Sequence, residues 1–397
     1  MSAPAPGPPV DPPGGGRLAG LEGYRGLAAV GVVVFHLYQE LRVDGAYFLA
    51  GTRAHAWLYA LDTLVDLFFA LSAFLLALPY LRRAVAGERP QGALEFLRRR
   101  AVRVVPLYYL VVTVVWASRN AGLPGEWRDL LEHLTFTQVL DDQRIFSTVG
   151  PAWSLAVEVQ FYVLLALVGS AVCAACRRLR RRGARIGAAA LPGVLLVAAG
   201  LGWKLAAHAQ GRPGTDWSTW FSLPAKLDVF GFGVLLALLV AVRGTGPSRV
   251  LSAALLVPAV PLLLAAVWAG TRDGLVAELR HTAAGAGFAC LLGATVLAGA
   301  GSRAVSALQA RPVAFLGLIS YSLYLWHEPL MLWMAGLPVW PQRSSPATLL
   351  LGVALLLPVT VLVGWASYWV VEHPAGALRR TRTADGRPRQ YHGEGAG

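Results

Sequence analysis

Arg25 and His36 lie eleven residues apart inside the apolar run Leu21 to His36, where neither side chain has an obvious reason to be present. Eleven steps of an α-helix turn through about 1100°, close to three whole turns, and rise about 16 Å, so both side chains leave one face at different depths. A guanidinium at one level can fork an anion, and an imidazole at another can exchange a proton near neutral pH. The pair therefore suits a long site that crosses part of a membrane. Ionisable groups at such depth cost roughly 2.5–3.5 kcal/mol each, so both are expected to face a cavity or a partner and not lipid.

Further segments place polar side chains where a lipid-facing helix would not. Asp62 and Asp66 stand at i and i+4 and precede Ser72, which puts two carboxylates on one inward face. Arg98, Arg99, Arg100 and Arg103 form a guanidinium cluster that runs into the apolar stretch beginning at Val104. Arginine forks suit phosphate oxygens. Setting topology accounts for Arg98 and Arg99, but Arg103 sits deeper in the helix. After Trp153, the residues Ser154, Glu158 and Tyr162 recur at i, i+4 and i+8 as one polar stripe. Ser320, Tyr324 and His327 share a face in the same way. If the helix carrying Glu158 runs opposite to the one carrying His36, the two side chains reach similar depth and are expected to meet.

The elements that must position these groups are membrane helices. Hydrophobic residues make up 56% of the 397 and charged residues 14%, with a mean hydropathy of +0.53, which excludes an ordinary soluble domain. Ten apolar runs are long enough to span a bilayer: 19–41, 56–81, 101–119, 151–175, 186–208, 221–242, 250–269, 281–300, 313–336 and 347–371. The first carries Arg25 and His36 and is followed by further spans, so it is not a cleavable signal. The loops at 82–100, 177–185, 243–249 and 303–311, with the span starts beside them and both tails, hold 23 arginines, and the alternate loops hold nine, Arg343 among them. By the positive-inside rule both termini are expected in the cytoplasm. This asymmetry also accounts for much of the net charge of +13 without a nucleic-acid partner.

Residues 1–17 are Pro- and Gly-rich and read as disordered, 18–375 as one transmembrane domain, and 376–397 as a basic cytoplasmic tail. Cys173 and Cys176 have redox-motif spacing but sit in an apolar helix without a βαβ setting, which favours a structural role. Trp57, Trp217, Trp220 and Trp340 fall near span ends and read as interface anchors.

Taken in order, several blocks resemble membrane acyltransferase family 3, the integral-membrane O-acyltransferases of bacterial surface polysaccharides and macrolides. They are the Arg25-to-His36 spacing, Val65-Asp66-Leu-Phe-Phe, Arg100-Ala-Val-Arg103, Trp153-Ser154 with Glu158 and Gln160-Phe161-Tyr162, Lys226-Leu-Asp228-Val-Phe-Gly-Phe-Gly, Ser320-Tyr-Ser-Leu-Tyr-Leu-Trp-His327, and Glu372-His-Pro374. Glu22, Ala73 and Lys226 depart from the Asp, Gly and Arg common at those places, and the first and third keep the charge. The chain looks like the form without an added extracytoplasmic domain.

The resemblance implies an all-α polytopic enzyme of the bacterial inner membrane that moves an acyl group, acetyl foremost, from acyl-CoA to a hydroxyl of a carbohydrate or of a glycosylated or macrolide acceptor. No permanently bound cofactor and no metal are implied. Coenzyme A phosphates would dock at Arg100 and Arg103, with Arg25 anchoring the donor or a carboxylate such as Glu22. His36 would act as general base on the acceptor hydroxyl, oriented or charge-stabilised by Glu158, and an acyl-histidine intermediate stays open. Asp66, Ser72, Trp153, Ser154, Tyr162, Lys226, Tyr324 and His327 would line the cavity or touch substrate. A ten-span secondary transporter is the alternative, but such proteins often show two related halves, and no repeat is visible here.

Overall fold

The computed structural model describes residue 18 and residues 20–120, 122, 125–244, 246–340 and 344–377. The segment expected to be disordered, 1–17, lies outside them, as do Arg343 and the basic tail after Ala377. Helices run in the order α1 (Leu21–Glu40), α2 (Arg53–Tyr59), α3 (Leu64–Ala86), α4 (Ala93–Arg119), α5 (Trp127–Leu134), α6 (Ala152–Arg178), α7 (Arg182–Ala209) and α8 (Trp217–Phe221). They continue with α9 (Leu223–Arg243), α10 (Arg249–Ala269), α11 (Leu275–Glu278), α12 (Arg280–Ala298), α13 (Arg303–Leu308), α14 (Arg311–Leu318), α15 (Ser320–Ala335), α16 (Pro346–Ser367) and α17 (His373–Ala377). Among the described residues there is no β-strand, and a single isolated bridge joins Val43 to Ala46.

The protein is an all-α, multi-pass membrane protein, and among the described residues eight helices are long and apolar enough to cross a membrane where the sequence suggested ten. The two that fall short are α1 and α15. In α1, Glu22, Arg25 and His36 depress the hydropathy of a helix of 20 residues. A break at Ile319 separates α14 from α15, which leaves only 16 residues, His327 and Glu328 among them. The helices that lose apolar character are thus the ones that carry His36 and His327.

Burial sorts the bundle into inner and outer helices. The apolar windows of the α2–α3 and α8–α9 segments are 72% and 67% buried, against 11% for α10 and 17% for α7, so α3 and α9 are central while α7 and α10 face lipid. Small residues let the central helices approach closely, since a side chain at Gly233 would collide with the Ala70 carbonyl. The same device seats α1 against α14: a Cβ at Gly26 would stand 2.6 Å from the Gly317 nitrogen. A second hydrophobic core, with Ala29, Val33 and Leu37 of α1, Leu323 and Met331 of α15 and Leu349 and Leu356 of α16, presses α1 on α15 at the level of His36.

Of the expected interface tryptophans, Trp57 is exposed, whereas Trp220 and Trp340 are buried, and the Trp220 indole donates to the Pro213 carbonyl at 2.8 Å, which satisfies its polar edge. Cys173 and Cys176 are buried free thiols, placed 3.2 and 3.5 Å from the backbone carbonyls of Tyr80 and Arg185.

The segment between α4 and α6 is organised by Asp129 of α5. Its carboxylate accepts from the Ser147 and Thr148 hydroxyls and lies 3.1 Å from His133 Nδ1. Burial works to raise the pKa of Asp129, but the hydrogen bonds from His133, Ser147 and Thr148 outweigh it and hold the group below the ordinary carboxylate value. A depressed folded pKa contributes stability above the unfolded value of about 3.9, and that contribution is lost as the pH falls through the folded value. Asp129→Ala should therefore lower the melting temperature of detergent-solubilised protein at pH 7 by the equivalent of about 1–3 kcal/mol. Thermal unfolding followed at several pH values should show the deficit shrinking below about pH 4.

Candidate active site

Five helices enclose a buried cavity that holds, with its mouth, about 820 Å³ of empty space. Its polar lining comes from Arg25 of α1, Ser72 of α3, Arg100 and Arg103 of α4, Ser154, Glu158 and Tyr162 of α6, and Ser320, Tyr321 and Tyr324 of α15. The stripe on α6 thus forms one wall, and its eight-residue length spans about 12 Å of helix axis. Arg100, Arg103 and Tyr162 lie towards one end of that wall. Ser154 and Tyr324 lie towards the other, their hydroxyl oxygens 2.7 Å apart and each 3.0 Å from the Pro151 carbonyl oxygen.

Between these ends Glu158 accepts a hydrogen bond from Ser72 Oγ at 2.5 Å. Arg25 faces the same space, with Glu158, Glu372 and Arg103 as its charged neighbours, and its Nε is buried without a hydrogen-bond partner. Glu22, the carboxylate expected beside Arg25, is exposed and does not line the cavity. Arg99 instead pairs with Glu95 on the surface turn before it, while Arg100 and Arg103, one turn apart, both turn inward.

His36 lies beyond the Tyr324 end. Its Nδ1 is 3.0 Å from the Val32 carbonyl oxygen and 3.2 Å from Nε2 of His327, with ring centroids 4.9 Å apart. His327 is fully buried, and its Nδ1 is 2.6 Å from the carbonyl oxygen of Tyr324, whose ring lines the cavity. The expected direct pairing of His36 with Glu158 is not among the hydrogen bonds of the described residues. Glu158 is engaged by Ser72, and the partner that meets the His36 ring comes from α15 and not from α6. Glu328, the next residue, accepts from the Gly150 nitrogen at 2.5 Å and so clamps the start of α6 against α15. A side chain at Gly150 would run into that carboxylate.

Four residues expected in the cavity lining lie elsewhere. Asp66 is buried against His281, with Nδ1 to Oδ2 at 2.8 Å, and one helical turn away Asp62 pairs with Arg280 at 2.5 Å. Both carboxylates are turned inward, but towards α12. Lys226 is buried with its ammonium 5.6 and 5.2 Å from the ring centres of Trp153 and Phe221, a cation–π setting behind the cavity wall. Trp153, one helical step of about 100° from Ser154, turns its ring to that side. Nearby, Lys204 binds Asp228 at 2.6 Å and Thr282 at 2.8 Å. Arg280 and His281, adjacent at the head of an apolar run, escaped the reading of the sequence although they carry the same signal as Arg25 and His36. His327 also stands outside the lining, one layer behind Tyr324.

Residues 18–369 match the family described as an acyltransferase domain, and the chain belongs to acyltransferase family 3. The family match, over a chain of apolar helices, favours an acyltransferase over the transporter alternative. Among curated proteins it is similar to the O-acetyltransferase OatA of Staphylococcus aureus strains COL and MRSA252, at 26% identity over 164 residues, covering 38% of this chain. The matched region spans about a quarter of the length of those relatives, 24%. No solved structure matches the chain significantly.

The Ser72–Glu158 bond gives a test of the cavity's polar balance. Glu158→Gln keeps an acceptor for the Ser72 hydroxyl, whereas Glu158→Ala leaves that hydroxyl and the nearby Arg25 without it. Hydrogen bonds to charged groups are worth about 1.5–3 kcal/mol, so the alanine variant should melt measurably below the glutamine variant in the same detergent. Equal melting temperatures would show that the bond contributes nothing to the fold.

Proposed function

We propose that the protein is an O-acyltransferase of the bacterial cytoplasmic membrane that moves an acyl group, acetyl foremost, from acyl-CoA to a hydroxyl of a carbohydrate or of a glycosylated or macrolide acceptor. The observation that carries this reading is one cavity walled by three guanidinium groups and joined through Tyr324 to a hydrogen-bonded histidine pair. Phosphate oxygens accept bidentate hydrogen bonds from guanidinium forks, so Arg100 and Arg103 suit the phosphates of coenzyme A, and Arg25 suits the anion nearest the cavity. The pantetheine arm is long, and its methylene and gem-dimethyl groups fit the Phe68, Leu71 and Leu75 surfaces between the arginines and Tyr324.

His36 takes the proton from the acceptor hydroxyl as its oxygen attacks the thioester carbonyl. Similarity to an O-acetyltransferase supports both the hydroxyl acceptor and the acetyl group. The reading places donor recognition on the side where basic loops collect, which is the cytoplasmic side by the positive-inside rule.

Purified protein in lipid nanodiscs should release coenzyme A from acetyl-CoA, and a folded His36→Ala variant should lose roughly 10²–10⁴-fold in turnover, the usual worth of a general base. Wild-type turnover in that variant would remove His36 from the mechanism. Replacing Arg100 and Arg103 together by Ala should raise the KM for acetyl-CoA by at least about tenfold, since each lost charged hydrogen bond costs about 1.5–3 kcal/mol. An unchanged KM would return the cluster to a purely topological role.

A further inference from the structure

We infer that His327 is the positioning residue of the base: it locks His36 in the tautomer that leaves Nε2 free to take the proton, the place that a carboxylate fills in a Ser-His-Asp triad. This rests on the proposed role of His36 as base. The assignment follows from which atoms can only accept. The Tyr324 carbonyl oxygen, 2.6 Å from His327 Nδ1, has no proton to give, so the proton of neutral His327 is on Nδ1 and its Nε2 presents a lone pair. That lone pair lies 3.2 Å from His36 Nδ1, and the other atom beside Nδ1, the Val32 carbonyl oxygen at 3.0 Å, is also an acceptor only. Two acceptors converge on one ring nitrogen. His36 Nδ1 therefore carries the proton, and Nε2 carries the lone pair.

The chemistry balances with that arrangement. The acceptor O–H gives its proton to His36 Nε2 as its oxygen forms the new C–O bond to the acyl carbon. The C–S bond breaks, and the same proton leaves Nε2 for the coenzyme A sulfur. Throughout, the Nδ1 proton stays between Val32 and His327, and while the ring is an imidazolium that hydrogen bond to His327 Nε2 becomes charge-assisted. Val32 alone fixes the tautomer but not the ring plane, because it sits one turn earlier on the same helix. His327 comes from a different helix and is held rigidly: it is fully buried, tied to Tyr324, and followed by Glu328 on the Gly150 nitrogen.

His327→Leu should lower kcat for coenzyme A release from acetyl-CoA by at least about tenfold, towards the ~10⁴-fold lost when a hydrolase base is left in the wrong tautomer, with the KM for acetyl-CoA within about threefold of wild type. His327→Gln, whose amide oxygen can accept from His36 Nδ1, should recover a large part of that loss. If the leucine variant does not fold, His327→Asn takes its place, since its shorter side chain does not reach. Nitrogen NMR of isotope-labelled histidine in the intact protein should show His36 as the Nδ1–H form in wild type and a mixture of tautomers in the leucine variant. Full kcat in folded His327→Leu, an unchanged His36 tautomer, or a glutamine variant no better than leucine would each overturn the assignment. If His36→Ala is inactive while His327→Leu is fully active, the base stands and only the positioning role falls; an active His36→Ala overturns both.

Discussion

Inside a bilayer there is no water to satisfy a polar group that the protein leaves unpaired, so each ionisable side chain in this bundle has to find its partner on another helix. The helix packing follows from that constraint. His36 of α1 meets His327 of α15, Asp62 and Asp66 on the α3 segment meet Arg280 and His281 of α12, and Lys204 of α7 meets Asp228 of α9 with Thr282 of α12. Of these pairs only Lys204 with Asp228 joins consecutive spans. A single interhelical hydrogen bond in a membrane is worth only about 0.6 to 2 kcal/mol, whereas removing one partner of a buried ion pair costs about 3–5 kcal/mol. The pairs therefore select the arrangement more than they add to its stability: a different packing would leave several charges alone in hydrocarbon.

The same constraint explains the uneven character of the helices. α7 and α10, which bury little of their surface, are nearly free of charge along their membrane lengths, while α1 and α15 give up apolar character to carry Arg25, His36, His327 and Glu328. Such helices are poor lipid-facing elements. Their position is held by contacts that do not depend on polarity: the Gly26–Gly317 approach seats α1 on α14, and the apolar cluster of Val33, Leu37, Leu323 and Met331 closes the α1–α15 seam around the two imidazoles. Dispersion and close packing thus supply the attraction that a polar helix pair lacks in lipid.

How much of this was visible in the sequence depends on the range of the interaction. The Ser154, Glu158 and Tyr162 stripe is a local property of one helix, and the periodicity that revealed it also decides that the three share the cavity wall. Arg100 and Arg103 turn inward for the same reason. By contrast, the partner of His36 depends on which helices are neighbours and on their relative height. Similar depth in opposed helices admitted Glu158, but the side chain that meets the ring comes from α15. The span count differs for a related reason. A run such as 19–41 looks long enough to cross, yet three ionisable residues lower its hydropathy below that of the other spans, and the break at Ile319 is a backbone event with no Gly or Pro at that position to announce it.

Motif blocks that read as single units in the sequence divide between two surfaces once folded. In Trp153-Ser154, the serine opens to the cavity beside Tyr324 and the tryptophan lies against the Lys226 ammonium. In Val65-Asp66-Leu-Phe-Phe, the outer residues Val65, Phe68 and Phe69 face the cavity while Asp66 binds His281 behind them. Phe69 joins the two sides: it lines the cavity, and its ring packs 5.9 Å from Trp153 and 4.9 Å from Phe230. The buried ionic network around Asp66, Lys226 and Lys204 is therefore the rigid backing of the α3 and α6 walls. A helix wall one side chain thick keeps its cavity residues in place only if the opposite face is fixed as firmly, and here aromatic stacking and paired charges fix it.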